Sequence, residues 1–294
     1  MFTSASHLTD LNTGKCADAA IPYLPFIRKY LKMFQADTSD YCTKIITRLS
    51  EIEQEHSVEI LYAAESGSRA WGFESPDSDY DVRFIYRHKE EWYLKVIPDR
   101  DVVEYPIVDE FDYSGWDVRK ALFLLNKGNP VLMEWLRSPM IYKVNLGFYQ
   151  ELYELSKSCF SEIASVYHYI HMAKKNFKEY LKSDLVRTKK YFYVLRPVLA
   201  CMWIEKYHKS PPMPFAQLLH ECDVPEAVLK EILVLLERKK SQKELGRGMR
   251  IQVINDFLDE KIAYFETTAH GFSPGQKRTI EPIDRLLCKT VKAR

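Results

Sequence analysis

The chain has 294 residues, 46% of them hydrophobic and 13% aromatic, which is enough to bury one large core or two ordinary ones and excludes a disordered chain. Its 42 lysines and arginines against 41 acids leave a net charge of +1, so any nucleic-acid surface has to be local. No apolar run approaches the ~18 residues of a membrane span and the N-terminus lacks the apolar stretch of a secretory signal, so a cytoplasmic protein without a membrane partner is expected.

Residues 1–22 are polar, mixed in charge and expected to be loosely held. Helical spacing follows over 24–35 and 39–56; in the second, Tyr41, Ile45, Ile46, Leu49 and Ile52 recur three and four apart. From Val58 to about residue 113 the short apolar runs VEILYAA, DVRFIYR and DVVEYPIV alternate with polar turns and predict strands. At Ser114-Gly115-Trp116-Asp117 the pattern switches to a helix, DVRKALFLL, with Ser114 as its N-cap and Lys127-Gly128 as its stop. Asn129-Pro130 opens the next helix as N-cap and first-turn proline, and Pro139 ends the segment. Helices are then predicted over 147–159, 161–182, 184–206, 214–221, 225–238 and 250–266, before a tail, 268–294, expected to begin irregularly. The architecture expected is α+β: a small α/β domain over 23–142, then an all-helical domain over 143–294.

Between the first two strands stands GSRAWGFESPDSDYDVRFIY, Gly67–Tyr86. Residues two apart in a strand share a face, so Asp79 and Asp81 would stand side by side and repel unless a cation separates them. A hard divalent ion suits such oxygens, and a carboxylate pair can bridge two ions roughly 3.5–4 Å apart, the arrangement used for in-line displacement at phosphorus. Gly67 follows a buried strand, where backbone turns sharply or approaches something closely. SRAW can start a helix whose free N–H groups, with the Ser68 hydroxyl, would face a phosphate. A phosphate cradle beside a metal cradle suits a nucleoside triphosphate held as its metal complex. The P-loop is excluded because Phe73 follows Gly72 where lysine is needed, and the dinucleotide fingerprint because Gly67 and Gly72 have no glycine between them.

Gly67-Ser68, followed eleven residues after Ser68 by Asp79-x-Asp81, resembles the polymerase-β nucleotidyltransferase superfamily. The longer strings, with SGWDVRKALFLL, NPVLMEWLRSP and KKYFYVLRPVLACMWIE, resemble a narrower branch over roughly residues 55–265: the YcgL-like predicted nucleotidyltransferases, some associated with RNA ligases and RNA repair. The resemblance implies a polymerase-β-type α/β domain, two Mg2+ or Mn2+ ions, an NTP substrate expected to be ATP, and NMP transfer to a hydroxyl, with an RNA end as the expected acceptor and an RNA ligase or other repair enzyme as a partner. It also implies a third carboxylate on a neighbouring strand, for which IVDEFDYSGWD offers Asp109, Glu110 and Asp112; Asp112 is preferred, Glu110 next. Asp79, Asp81 and Asp112 are thus the expected catalytic and metal-binding residues, and Gly67, Ser68 and Arg69 the phosphate side. A protein side chain or a small molecule would use the same site as acceptor.

Lys189, Lys190, Tyr193 and Arg196 lie in an otherwise apolar predicted helix, where cations must snorkel to solvent or meet an anion. They are candidate nucleotide-binding residues. RKKSQKELGRGMR, residues 238–250, concentrates positive charge; Lys239, Lys240, Lys243 and Arg247 are candidate RNA contacts, a solvated loop being the alternative. His168 and His171 are spaced for a metal on one helix but lack a visible third ligand, and the six cysteines form no C-x-x-C pair and read as reduced thiols. A sugar-nucleotide glycosyltransferase would also use Asp-x-Asp but leaves Gly67-Ser68 without a role. A binding module without catalysis would have no need of the acids.

Overall fold

The computed structural model describes residues 40–241, 246–275 and 279–293, without the side chains of Lys240 and Ser241; the N-terminal segment and the helix predicted over 24–35 lie outside the described residues. The apolar rows of the strand-rich half build a five-stranded sheet from β1 (Glu59–Glu65), β2 (Tyr80–Arg87), β3 (Val102–Glu104), β4 (Phe111–Asp117) and β5 (Ile141–Val144), in the order β3-β4-β2-β1-β5. β2 and β4 run parallel, and the other pairings are antiparallel.

Strand alternation decides which side chains face which layer. On one face Val82, Phe84 and Tyr86 of β2 pack with Ile45, Leu49 and Ile52 of α1 (Asp40–His56). On the other, Ile85 and Trp116 join residues of α4 (Val118–Asn126), α5 (Pro130–Trp135), α6 (Leu146–Ser158) and α12 (Glu281–Lys292). Asp81 and Arg83 alternate with the first set and therefore share the second face, at the end where β2 begins. Two short helices, α2 (Gly67–Trp71) and α3 (Glu90–Tyr93), sit within the connections of this half.

The helical half gathers α7 (Glu162–Tyr180), α9 (Phe215–Glu221), α10 (Glu226–Ser241) and α11 (Gln252–Thr268) around α8 (Phe192–Tyr207), whose apolar residues are buried on all sides. Phe73, just after α2, belongs to this core: its ring stacks on Phe192 at 4.9 Å and meets Phe215 edge-on at 5.4 Å.

Several expectations are corrected. Ser114 is a strand residue, not a helix cap: β4 continues through Gly115, whose missing Cβ leaves room for the Phe84 ring, and Asp117 caps α4 by accepting from the Arg119 N–H at 2.8 Å. The helix predicted over 184–206 begins only at Phe192; Leu185–Arg187 form β6, alternating exposed, buried, exposed, and Thr188–Tyr191 a 3-10 turn. β6 pairs with β7 (Arg247–Met249), so part of the expected 238–250 loop is a ribbon, and α10 carries the chain to Ser241. β5 was not foreseen, nor was α12, which buries Ile283 and Leu286 three residues apart against α4 and α6.

Asp117 yields a test of this packing. It is fully buried, accepts from the Tyr93 hydroxyl at 2.8 Å, and burial pushes its carboxyl up to about 6. A carboxyl raised above its unfolded value binds its proton more tightly in the folded state, so stability falls as pH rises from about 4 to about 6. Asp117→Asn keeps an oxygen to accept the Arg119 N–H, turns an amide N–H toward the Tyr93 hydroxyl oxygen, and cannot ionise. Denaturant unfolding is expected to find it level with the wild type near pH 4 and ahead by up to about 3 kcal/mol at pH 7; an equal offset at both pH values would contradict this.

Candidate active site

β1 ends on Glu65, an acid closing an apolar run and fully buried. Its Oε1 accepts from the Asp81 N–H at 2.7 Å, its Oε2 accepts from the Tyr142 hydroxyl, and burial pushes its pKa up to about 7. The backbone then turns through Ser66 into Gly67, which has φ +59°; a Cβ here would lie 2.0 Å from Oδ2 of Asp81. The close approach that requires glycine is therefore to the Asp81 carboxylate, within the protein itself. Ser68 is buried in α2.

Asp81 is the second residue of β2 and Asp112 the second of β4, and the parallel register sets them opposite one another. Asp112 comes beside Asp81 through this pairing of distant segments. Glu110, the other candidate, sits exposed in the preceding turn with φ +70°. Asp79 lies in the loop just before β2 and is exposed. Burial raises the Asp81 carboxyl above the usual range; Asp112 and Asp79 add to this and Arg83 opposes it.

Arg83 was missed from sequence, although it lies two residues beyond Asp81 on the same face. One of its terminal nitrogens donates to Asp81 Oδ1 at 3.1 Å and to Asp112 Oδ2 at 2.6 Å; the other donates to the Asp112 carbonyl at 2.9 Å. Asp79 and Asp81 do not share a strand face as expected, because β2 begins only at Tyr80; the cation within the fold lies instead between Asp81 and Asp112. Among the described residues no three acidic, histidine or cysteine side chains converge as a metal-binding group. The donor set nevertheless suits a hard divalent ion. All its atoms are carboxylate oxygens, and neither Oδ1 of Asp112 nor the Asp79 side chain has a hydrogen-bond partner among the described residues.

Arg69 holds the loop ahead of Asp79: it donates to the carbonyls of Ser78 at 2.6 Å and Asp79 at 3.2 Å and stacks 3.7 Å over the Tyr80 ring. Tyr193 meets Trp71 edge-on, and its hydroxyl, raised mainly by burial, also feels the charges of Asp81 and Asp79. Lys190 lies between the rings of Tyr180 and Tyr193, 4.5 and 4.7 Å from their centroids, and Lys189 is exposed in the 3-10 turn. Lys189, Tyr193 and Arg196 do not share one continuous helical face, because the helix starts after Lys189. Arg196 is 3% exposed; its guanidinium pairs with Glu134 at 2.8 Å and covers the Trp71 ring at 4.6 Å, which makes it a strut between the two halves.

The expected RNA contacts separate. Lys239 is buried, not on an open loop, because α10 extends past it. Arg247 is exposed on β7 opposite Arg187 of β6. Lys243 and the side chain of Lys240 lie outside the described residues. His171 is exposed and His168 half-buried, with no metal-binding group around them among the described residues. Cys42, Cys159, Cys201, Cys222 and Cys288 form no disulfide, Cys16 lying outside the described residues; among the described residues no helix is long and apolar enough to cross a membrane.

A family model described as RlaP, RNA repair pathway DNA polymerase beta family, matches residues 42–289. The chain is also 47% identical over 249 residues to the uncharacterized protein YcgL of Bacillus subtilis (strain 168), a match covering 85% of this chain and 96% of that protein. Both matches extend across the sheet half and the helical half.

Gly67 and Gly72 both have positive φ, but a Cβ at Gly72 meets nothing within 4 Å. Gly72→Ala is expected to cost about 1 kcal/mol from backbone strain alone, and Gly67→Ala about 1–2 kcal/mol more because it displaces Asp81. Urea unfolding measures both, and Asp81→Ala is expected to recover the extra loss when combined with Gly67→Ala. Equal costs at the two glycines would mean that Asp81 does not rest on this turn.

Proposed function

Because the chain belongs to the RNA repair pathway DNA polymerase beta family, we propose that it is a metal-dependent nucleotidyltransferase that moves the NMP of an NTP, expected to be ATP, to a hydroxyl at an RNA end. The observation that carries this is the side-by-side pair Asp81 and Asp112, with Asp79 adjoining, on the turn made by Gly67 and Ser68.

Asp79, Asp81 and Asp112 are the carboxylates that would hold two Mg2+ or Mn2+ ions. When bound, the ions neutralise phosphate charge and make the acceptor hydroxyl easier to deprotonate. Holding ions there would require Arg83 to release the carboxylates it bridges. Gly67, Ser68 and the start of α2 would lie toward the triphosphate. The hydroxyl oxygen attacks the α-phosphorus as its proton passes to Asp112. The bond from the α-phosphorus to the α–β bridging oxygen breaks, and pyrophosphate leaves with that electron pair. Arg69 keeps Asp79 in place through the carbonyls it holds.

An RNA acceptor is supported by more than the family description. Arg187 lies 5.8 Å from the Tyr180 ring, Tyr180 adjoins Lys190, and Lys190 adjoins Tyr193. Tyr193 in turn feels Asp79 and Asp81. Cations interleaved with aromatic rings suit a single strand, whose phosphates and bases they engage together.

The direct test offers each α-labelled NTP, with Mg2+ or Mn2+, to RNA, protein and small-molecule fractions. Label is expected in RNA with one preferred nucleotide, and Asp79→Ala, Asp81→Ala or Asp112→Ala is expected to reduce it by roughly 100-fold or more while the protein stays folded. Label confined to protein or small molecules would replace the RNA acceptor. Near-normal transfer by an Asp81 variant would remove the catalytic assignment.

A further inference from the structure

Lys239 stands in the last turn of α10, where the carbonyl dipoles favour a cation, yet the residue is only 4% exposed. A lysine buried to this degree ordinarily meets a carboxylate, because an isolated ammonium loses its hydration for nothing in return. Among the described residues its ammonium has no hydrogen-bond or ion-pair partner; it faces the ring of Phe73, 5.4 Å from the centroid. Phe73 follows directly on the GSRAWG segment. The charges nearest the ammonium come from both halves of the molecule: Asp77 and Glu74 from the loop ahead of β2, Arg69 from α2, and Lys189 from the 3-10 turn. Two acids and two further cations thus act on this one ammonium. Burial, opposed by the two acids, lowers the ammonium to about 8.

We propose that Lys239 binds the polyphosphate end of the nucleotide, donating to an oxygen of the β- or γ-phosphate; this rests on the nucleotidyltransferase reading. The unpaired ammonium of a buried lysine gains most from a compact, multiply charged anion able to reach it, through short charge-assisted hydrogen bonds. A polynucleotide backbone offers one charge per phosphate, where a polyphosphate brings several to one point. Lys239 thus passes from the expected RNA surface to the donor side of the reaction.

Calorimetric titration with Mg-ATP and with AMP separates the possibilities. Lys239→Met, similar in length and uncharged, is expected to weaken ATP binding by about 10- to 100-fold and to leave AMP binding unchanged. Unchanged ATP affinity in the variant, beside a wild type that binds ATP, would overturn the assignment while leaving the nucleotidyltransferase reading intact. An equal loss for ATP and AMP would also overturn it. A wild type that binds no nucleotide with any metal would remove both. A measurement on the wild type alone guards against a poorly folding variant. Under brief acetic anhydride treatment read by mass spectrometry, ATP and inorganic pyrophosphate are expected to protect Lys239 from acetylation and adenosine is not; acetylation unaffected by either phosphate compound would contradict the proposal.

Discussion

Two carboxylates, Asp81 and Asp112, are set side by side by the parallel register of β2 on β4, and the surrounding groups balance the charge they bring together. Arg83, next on the same face, takes one oxygen of each. Glu65, beneath, accepts the Asp81 N–H and has its own charge weakened by burial, so a further full negative charge is avoided. Gly67 yields the space a side chain would occupy. Each feature is costly or unexplained on its own: a buried acid, a left-handed turn, an arginine wedged between aspartates. Together they keep an acidic pair assembled before any ligand arrives, as electrostatic pre-organisation requires.

The segment from Gly67 to Phe73 carries this arrangement into the helical half. Gly67 meets Asp81, Arg69 latches the carbonyls ahead of Asp79, Trp71 lies under Arg196 and against Tyr193, and Phe73 enters the aromatic core beside Phe192 and Phe215. The buried pair of Arg196 with Glu134, which also accepts from the Tyr169 hydroxyl at 2.7 Å, adds a second tie. Charged groups so buried are strongly destabilising when one partner is removed, so they fix how the halves meet more than they stabilise the whole. The acids and the basic, aromatic residues of Lys189–Tyr193 are thereby held in a set relation.

Local pattern made much of this legible. The strand before Gly67, the strand carrying Asp81 and the Asn129-Pro130 helix start follow from alternation and capping, which act within a few residues. What escaped depends on pairing between distant segments. Asp112 could be favoured among three acids, but its place opposite Asp81 comes from a parallel register that no local signal encodes. Arg83 read as an ordinary strand residue because its partner lies on another strand. Leu185–Arg187 read as helix because three residues are too few to declare a period, and their strand partner follows some sixty residues later. The basic run beginning at Arg238 read as a loop because lysines are ordinarily exposed. The burial of Lys239 depends on Phe73, from the other half of the chain.

In the proposed reaction the Asp81–Asp112 pair exchanges its internal arginine for metal when nucleotide binds. The decisive measurement is anomalous diffraction from crystals soaked with Mn2+ and a non-hydrolysable NTP. Manganese is expected on Asp81 and Asp112 with Asp79 beside it, the triphosphate on the Gly67–Ser68 turn, and Arg83 withdrawn from the carboxylates. Arg83 still bridging both aspartates, with no manganese at either, would contradict it and leave the acidic pair a structural feature of the sheet.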